Sequence, residues 1–179
     1  MAEENTQQQQ QQPPFDIKKI YLKDASLESP CSPDVFTRPF QPQINVEFDN
    51  TSTKLEGQEN IYEVVIRVTV TCKQDDKVTY LCEIKQAGVF MINLPEQDQV
   101  DHVLNVLTPT IIFPYASETV NNLITRAGFL GITIPPVNFE LLYAQRLAQG
   151  GHAADSGQRL LSFQVGHSRR YGKLLDRQA

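Results

Sequence analysis

The pattern of apolar and polar positions is clearest over residues 62–92, where it alternates with a period of two. Successive side chains of a strand point to opposite faces, so this spacing predicts two long strands. The polar residues 73–77 between them predict the turn of a hairpin. The predicted inward face consists of Tyr62, Val64, Ile66, Val68, Val70 and Cys72 on the first strand and of Val78, Tyr80, Cys82, Ile84 and Gln86 on the second. An antiparallel sheet with one apolar face needs a cover on that face, while its other face can meet water or a partner.

Two more strands are predicted on the N-terminal side of this hairpin. Residues 15–27 alternate with one change of phase at 18–19, which predicts a strand with a bulge. Residues 43–49 alternate without interruption and predict a further strand. Between the two, residues 30–42 hold four prolines and two phenylalanines, which predicts a long apolar crossover loop. Loops of this length are usually functional or packed onto another part of the fold.

The apolar pattern changes to helical spacing between residues 94 and 127. Pro109 and Pro114 interrupt this pattern, and they predict a kink or a division into two segments. Gly128 follows the last periodic position and is a plausible C-cap. Residues 111–113 are apolar on all sides of the helix, which is more than one sheet face needs. They therefore indicate burial on two sides and an oligomer.

A last helix is predicted over residues 139–149, with Asn138 as its N-cap and two glycines after its end. The whole pattern predicts an α+β fold, a four-stranded antiparallel sheet with a long kinked helix and a C-terminal helix on one side. This domain is expected to span residues 15–149. Residues 1–14 include six consecutive glutamines and two prolines and predict a disordered tail. Residues 150–179 show only weak periodicity, and we expect a flexible basic tail there.

The chain of 179 residues, 40% of them apolar, is long enough for one domain with a core of its own. It has no run of about 18 apolar residues, so we expect no transmembrane helix. The N-terminus lacks the basic and apolar segments of a signal peptide. The three cysteines, Cys31, Cys72 and Cys82, lack metal-ligand spacing and are odd in number. Free thiols in a reducing cytoplasm are the expected state, although Cys72 and Cys82 can approach each other in the hairpin.

The net charge of −5 is unevenly distributed along the chain. Residues 150–179 contain two acidic and five basic side chains and carry +3, which leaves −8 on residues 1–149. An acidic domain repels nucleic acid and anionic lipid, and it attracts a basic protein segment. A basic end with one tyrosine among its charges is weak evidence for nucleic-acid binding. We therefore expect no nucleic-acid partner and no direct insertion into a membrane.

Side chains that often build catalytic or metal sites are not arranged as such sites require. His102, His152 and His167 lie at no ligand spacing from a cysteine or an acid. No Gly-rich phosphate loop, nucleophile elbow or paired-acid motif occurs. We therefore expect neither enzyme activity nor a cofactor.

Five blocks of sequence closely resemble the SecB family of bacterial protein-export chaperones. They follow one another in the family's order and at compatible spacing, and the ordered set is specific where any single block would be weak. The blocks are IYLKDASLESP (20–30), YEVVIRVTVT (62–71), LCEIKQAGVFMI (81–92), IIFPYASETV (111–120) and PPVNFELLYAQ (135–145). The chain after residue 149 departs from the family, whose ends are usually short and acidic or neutral.

The resemblance implies a function without catalysis. A SecB-like protein is expected to be an ATP-independent holdase that binds unfolded precursor proteins and keeps them competent for translocation. It is expected to deliver them to SecA, the motor ATPase of the Sec export pathway. It is also expected to be cytoplasmic and to form a homotetramer, built as a dimer of dimers. The alternative is a SecB-like chaperone dedicated to a client from a toxin–antitoxin module.

The resemblance also implies an acidic docking surface for SecA. The positions that match it are Asp24, Glu28, Leu81 and Glu83. The last two alternate with inward residues of the hairpin, so they can be exposed while the other face packs. Exposed carboxylates there would steer a basic partner segment, and such contacts weaken with salt.

A client groove and a subunit interface are the other expected surfaces. An unfolded client offers aromatic and aliphatic side chains and extended backbone, so the crossover loop and the last helix can form two walls of a groove. The groove residues are predicted to be Phe36, Phe40, Phe139, Leu142 and Tyr143, although each of these side chains can equally serve only to pin its segment to the core. The interface residues are predicted to be Cys82, Ile84, Gln86, Ile111 and Ile112.

Overall fold

The computed structural model describes residues 13–148 and the backbone of residues 159–165. Its antiparallel sheet has the strand order β1-β4-β3-β2-β5. The strands are β1 (Phe15–Glu28), β2 (Gln43–Lys54), β3 (Ile61–Gln74), β4 (Lys77–Ile92) and β5 (Arg159–Val165). The helices are α1 (Gln97–His102), α2 (Thr108–Arg126) and α3 (Phe139–Ala148), with a short 3-10 helix at Asp34–Thr37. The predicted α+β fold is confirmed, with all four predicted strands in place.

The hairpin of β3 and β4 forms the centre of the sheet. Its predicted inward residues are buried, except Tyr62 and Val78 near the strand ends. The turn is shorter than predicted, because Gln74 already pairs with Lys77 and leaves only Asp75-Asp76 between the strands. These two residues have φ angles of 52° and 59°. Two consecutive positive φ values belong to a type I′ turn, whose twist matches that of hairpin strands.

The strands β1 and β2 pair with opposite edges of this hairpin, β1 with β4 and β2 with β3. The predicted bulge of β1 is confirmed by a register shift between Ile17 and Lys19, and a second shift follows between Leu22 and Asp24. The strand β2 continues through residues 50–54, beyond the predicted end at residue 49. Their backbone stays paired with β3, and backbone pairing does not require apolar side chains.

The long helical run begins with α1 and continues through a π-helical turn (Val103–Leu107) into α2. Pro109 lies in the first turn of α2, and Pro114 lies inside the helix. A proline has no N–H to donate to the carbonyl four residues earlier, and a π turn is one way in which a helix absorbs such a loss. The predicted irregularity is therefore confirmed, but it precedes Pro109 and the chain stays helical through it. Among the described residues, no helix combines the length and the hydropathy that a membrane span needs.

The C-terminal end of α2 is closed by Gly128, as the sequence predicts. Gly128 has a φ of 90°, a left-handed conformation that glycine adopts without strain. Its amide donates to the carbonyl of Thr125 at 3.1 Å, and the amide of Phe129 donates to the carbonyl of Ile124 at 3.2 Å. These two bonds form a Schellman motif, which satisfies the last carbonyls of the helix and turns the chain sharply.

The core lies between the sheet and α2. This helix places Ile112, Ala116, Val120 and Ile124 against β4 and β3, and all four have no exposed surface. The four residues recur at helical spacing and form one stripe of the helix. Burying a valine or isoleucine side chain is worth roughly 1.5–3 kcal/mol. The helices thus provide the cover that the apolar face of the sheet requires.

Cys72 and Cys82 are buried free thiols on neighbouring strands. They are not direct partners, since Cys72 pairs with Tyr80 and Cys82 pairs with Val70. Burial raises the pKa of Cys72 to about 12 and that of Cys82 to about 11, so both thiols stay protonated at neutral pH. The expected free-thiol state is confirmed for both residues.

The strand β5 lies within the predicted basic tail over residues 150–179. Residues 159–165 pair antiparallel with β2, from Val165 opposite Ile44 to Arg159 opposite Asp49. An edge strand can be completed by any extended segment, because the pairing is made by backbone groups that an apolar pattern does not reveal. Residues 1–12, 149–158 and 166–179 lie outside the described part of the chain, and with them most of the two predicted tails.

Candidate binding surfaces

The predicted docking residues lie together on the outer face of the sheet, away from the helices. Glu28 of β1 stands opposite Leu81 of β4, and Glu83 stands opposite Ser26, which lies two residues from both Asp24 and Glu28. The side chains of Asp24 and Glu28 are exposed, and those of Leu81 and Glu83 are half-buried. We call Asp24, Glu28, Leu81 and Glu83 the outer-face patch.

Two neighbouring side chains restrain the carboxylates of the outer-face patch. Lys85 Nζ lies 3.6 Å from Asp24 Oδ2, and Thr69 Oγ1 donates a hydrogen bond of 3.3 Å to Glu83 Oε2. Because Lys85 offsets the charge of Asp24, most of the free negative charge belongs to Glu28 and Glu83. The sequence pattern singles out neither Lys85 nor Thr69, since their positions depend on strand register, which alternation alone does not set.

A second polar group on the outer face connects β1 to β3 across β4. Tyr21 Oη donates a hydrogen bond to Glu63, and Lys23 Nζ lies 2.7 Å from Glu63 Oε2. Burial tends to raise the pKa of Glu63, but the hydrogen bonds from Lys23 and Tyr21 outweigh it and hold the pKa below its usual value. The hydrogen bond that Tyr21 donates to Glu63 raises the pKa of Tyr21 to about 12. This group therefore fixes the edge strand β1 to the centre of the sheet while the carboxylate is ionised.

The crossover loop carries an exposed aromatic surface. Phe36 is 51% exposed, and its ring lies 5.1 Å from the buried ring of Phe129. Phe40 is half-buried at 5.8 Å from the same ring, and Tyr80 of β4 supports that ring from below at 4.7 Å. Ring centroids about 4.5–7 Å apart form favourable aromatic pairs. We call Phe36, Phe40 and Phe129 the loop aromatic surface.

The residues predicted for the opposite wall belong to a different aromatic cluster. Phe139 is only 3% exposed, and its ring packs 6.2 Å from Phe48 and 5.9 Å from Phe113. It is a core residue in this chain, and its predicted contact with a client stays a prediction. Leu142 and Tyr143 are half-buried and keep exposed surface on α3. Their place in a groove remains a prediction.

An open groove that the sequence pattern does not predict lies between α2 and the chain that follows it. Its volume is about 470 Å³, and buried Ile132 and Ile134 form part of its wall. Phe113 and Pro114 line it from α2, and Glu118 stands beside it with an exposed carboxylate. The apolar character of residues 129–136 is the sequence signal that accompanies this groove.

Polar contacts hold α3 against the start of the long helical run. Asn138 Oδ1 accepts a hydrogen bond of 3.0 Å from the amide of the third residue of α3, which confirms the predicted N-cap. His102 Nε2 lies 3.0 Å from Glu140 Oε2, and Arg146 Nη1 donates a hydrogen bond of 2.9 Å to Asn105 Oδ1. The position of α3 beside the core is therefore set by contacts at both of its ends.

Most of the predicted interface residues are already buried within one chain. Cys82, Ile84 and Ile112 have no exposed surface, because α2 covers the inner face of β4. Gln86 is 4% exposed and accepts a hydrogen bond of 3.4 Å from Thr119 Oγ1. Within the single described chain these four residues belong to the core of the protomer. Their contact with a second copy stays a prediction.

Ile111 is the predicted interface residue that retains accessible surface. It is half-buried, and it lies on the outer side of the helical run between Leu107 and Tyr115, which are 40% and 50% exposed. The three residues recur every four positions and form one apolar stripe. We call Leu107, Ile111 and Tyr115 the helix outer stripe.

Comparison with known proteins identifies the family of this chain. Residues 8–150 match the family model described as SecB, preprotein translocase subunit SecB. The protein-export protein SecB of Methylobacillus flagellatus is 50% identical over 146 residues, which cover 82% of this chain and 92% of that protein. The protein-export protein SecB of Alkalilimnicola ehrlichii is 47% identical over 157 residues, or 88% of this chain and 81% of that protein. The chain belongs to the SecB family.

This SecB-family membership confirms the resemblance and makes the chain a chaperone of preprotein export. A solved structure of a SecB-like chaperone from Mycobacterium tuberculosis, in complex with a peptide from an antitoxin, has the same fold. Its TM-score is 0.57 at 16% identity, with 69% of this chain and 90% of that chain covered. The match to the family model ends at residue 150, so β5 lies beyond that match.

Proposed function

We propose that this SecB-family chaperone is an ATP-independent holdase whose first contact with an unfolded precursor is the loop aromatic surface. The observation that carries this proposal is the ring of Phe36, which is 51% exposed although it rests on the buried ring of Phe129. A large ring that is exposed and already fixed gains free energy when it is covered and loses little conformational freedom. Aromatic contact surfaces of this kind dominate many protein interfaces.

Holding a client in this way requires only binding. The client buries apolar side chains, and the gain is roughly 25 cal/mol per Å² of apolar area removed from water. A folded protein keeps most such side chains inside and offers little to bind, whereas an unfolded precursor exposes many of them. The proposed action therefore uses no nucleotide and no catalytic residue.

We further propose that the outer-face patch receives SecA. Tyr80, which supports the loop aromatic surface, belongs to the inner side of β4, whereas Leu81 and Glu83 belong to its outer side. A client and SecA can therefore bind at the same time. The negative charges of Glu28 and Glu83 favour a basic partner segment, and such attraction speeds association at low salt. Glu83→Lys is expected to weaken SecA binding at least about tenfold, as in other charge reversals at an interface, and unchanged affinity would exclude this site.

The proposed assembly is a homotetramer, built as a dimer of dimers. The helix outer stripe supports it, because three apolar side chains on one side of a helix remain partly accessible in the single protomer. The cytoplasm is the proposed location of this assembly, since the three cysteines are free, as is usual in a reducing compartment.

A role dedicated to one toxin–antitoxin client is the alternative. Its support is the structural neighbour with an antitoxin peptide, which shares 16% of its sequence with this chain. The export proteins share 50% and 47%, so export is the function that we propose.

An aggregation assay tests the holdase proposal. A slow-folding precursor is diluted from denaturant with the wild-type protein, without nucleotide, and light scattering is followed. Wild type is expected to suppress aggregation, and Phe36→Ser is expected to lose most of this effect. Leu22→Ser is the matched control, because Leu22 is 48% exposed but lies on β1. An inactive wild type would exclude the holdase, and a fully active Phe36→Ser would exclude the loop as its client surface.

A further inference from the structure

The outer edge of β2 makes an interaction that the SecB-family match does not include. β5 pairs with this edge over residues 44–49, and it comes from the chain beyond residue 150, where the family match ends. Without β5 the described sheet would end at β2. The backbone N–H and C=O groups along that edge would then be open to pairing with any extended chain.

β5 is attached to the described domain by one ladder. Among the described elements, β2 is the one with which β5 makes extensive contact. Residues 50–54 of β2 have no described strand partner on the side that β5 occupies. An extended segment can begin to pair there before β5 has left, so exchange at this edge does not require the central strands to open.

Charge and connectivity favour β5 as the resting occupant of this edge. The chain from residue 150 onward carries +3, whereas residues 1–149 carry −8, so the tail is attracted to its own domain. Residues 149–158 tether β5 to α3, which makes its pairing intramolecular. An intramolecular ligand acts at an effective concentration in the millimolar range, so an external segment has to compete with it.

The covered edge lies next to the loop aromatic surface. The crossover loop leads directly into β2, with only two residues between Phe40 and Gln43. Gln74 of β3 fixes the loop there, since its side chain donates to the carbonyl of Pro39 at 3.0 Å and accepts from the amide of Gln41 at 3.1 Å. A client on the loop aromatic surface therefore has its backbone close to the first residues of β2, which β5 covers.

We propose that β5 is a displaceable internal ligand of the β2 edge and that the extended backbone of an unfolded client takes its place. This inference rests on the proposed holdase function, to which it adds a contact that is independent of client sequence. Addition of a strand to a sheet edge is a general mode of peptide recognition. When no client is bound, β5 protects the edge of β2 from pairing with other chains. Client affinity is then reduced by the fraction of molecules in which β5 occupies the edge.

A cysteine pair across the ladder tests this proposal. Glu47 and Ser162 are register partners, and opposite residues of an antiparallel ladder share a face. Their Cα atoms are expected about 4.5–5.5 Å apart, within disulfide range. In a Cys31→Ser background, Glu47→Cys/Ser162→Cys should form an intrachain disulfide on mild oxidation. Thr53→Cys/Ser162→Cys is the control, because Thr53 lies about 20 Å further along β2 at the usual rise of a strand.

The readout is the affinity for a slow-folding precursor kept unfolded, measured by fluorescence anisotropy on the same variant before and after reduction. The oxidised form is expected to bind at least about fivefold more weakly than the reduced form, because the edge is then permanently occupied. The two forms of one variant are compared, so any effect of the substitutions themselves is common to both, and the control variant is expected to bind equally under both conditions.

Several results would overturn the proposal. Equal affinities of the oxidised and reduced forms would exclude displacement. Failure to form a disulfide in this pair and also in Asn45→Cys/Gln164→Cys, a second pair of register partners, would exclude the strand position. A disulfide-linked dimer would show that β5 pairs with β2 of a neighbouring copy and not with β2 of its own chain. A wild type that does not bind the precursor would exclude the holdase itself, whatever the disulfide yield.

Discussion

At the scale of the residue, the buried ring of Phe129 supports the exposed ring of Phe36. It is 7% exposed, and its ring contacts those of Phe36, Phe40 and Tyr80 at distances of 5.1, 5.8 and 4.7 Å. A loop of the length of residues 30–42 would otherwise have many conformations. The proposed client surface therefore depends on the side chain of Phe129, which itself has almost no accessible area.

Glu63 gives a residue-scale prediction about pH. Its pKa is held below the usual value, so the ionised carboxylate stabilises the folded state above the unfolded-state pKa, and this contribution is lost as pH falls through the folded-state pKa. Glu63→Gln is expected to lower the free energy of unfolding by about 1.5 kcal/mol near neutral pH, the scale of a hydrogen bond to a charged group. The difference from wild type should shrink as the solution is acidified.

Urea denaturation at a series of pH values measures this difference. Glu56→Gln is the matched control, because Glu56 is exposed in the turn between β2 and β3. A difference that stays constant through the acidic range would show that Glu63 does not stabilise the sheet through its charge.

At the scale of the element, the end of α2 and the crossover loop are one structural unit. A Cβ atom added to Gly128 would lie 3.3 Å from the ring of Phe36, and the φ of 90° at this position is strained for any other residue. Gly128→Ala is therefore expected to cost about 1 kcal/mol in stability and to displace Phe36. Its affinity for an unfolded precursor should fall.

Gly57 provides the matched control for this prediction. It has a φ of 72°, but an added Cβ atom would meet no atom within 4 Å. Gly57→Ala should therefore cost similar stability, measured by urea denaturation, and leave precursor affinity unchanged. If Gly128→Ala and Gly57→Ala bound unfolded precursor equally well, the end of α2 would not influence the proposed client surface.

The sequence predicts elements well where one physical pattern determines them. Alternation assigns the inner and outer faces of β3 and β4 correctly, and local hydrogen-bond chemistry predicts the caps at Gly128 and Asn138. The contacts of Lys85 and Thr69 with the outer-face patch depend on register, which is a property of two strands and not of one. The sequence does not predict β5, because its pairing with β2 is made by backbone groups and needs no apolar pattern.

At the scale of the whole molecule, different surfaces of one sheet serve different proposed partners. The inner side supports the loop aromatic surface, the outer side carries the outer-face patch, and the helix outer stripe lies on the helical layer. The interface residues predicted from the sequence include side chains that this single chain already buries in its core. An apolar residue on a helix can be buried by its own chain or by another, and the pattern alone does not distinguish the two.

Assembly gives a prediction at this scale. Tyr115 is 50% exposed in the protomer, so Tyr115→Asp should leave the fold intact and reduce the oligomeric mass measured by multi-angle light scattering. Ile112 has no exposed surface, so Ile112→Asp should destabilise the fold by more than about 4 kcal/mol through a buried charge. Gln58→Asp, in an exposed turn, controls for added charge. A Tyr115→Asp variant with wild-type mass would exclude the helix outer stripe as the interface.

A holdase of this kind is expected to distinguish unfolded from folded precursor without nucleotide. Isothermal titration of one slow-folding precursor, in its unfolded and in its folded form, tests this claim most directly. Measurable binding of the unfolded form is expected, with a negative heat-capacity change from buried apolar surface, and no binding of the folded form. Equal binding of both forms, or binding that appears only when ATP is added, would contradict it.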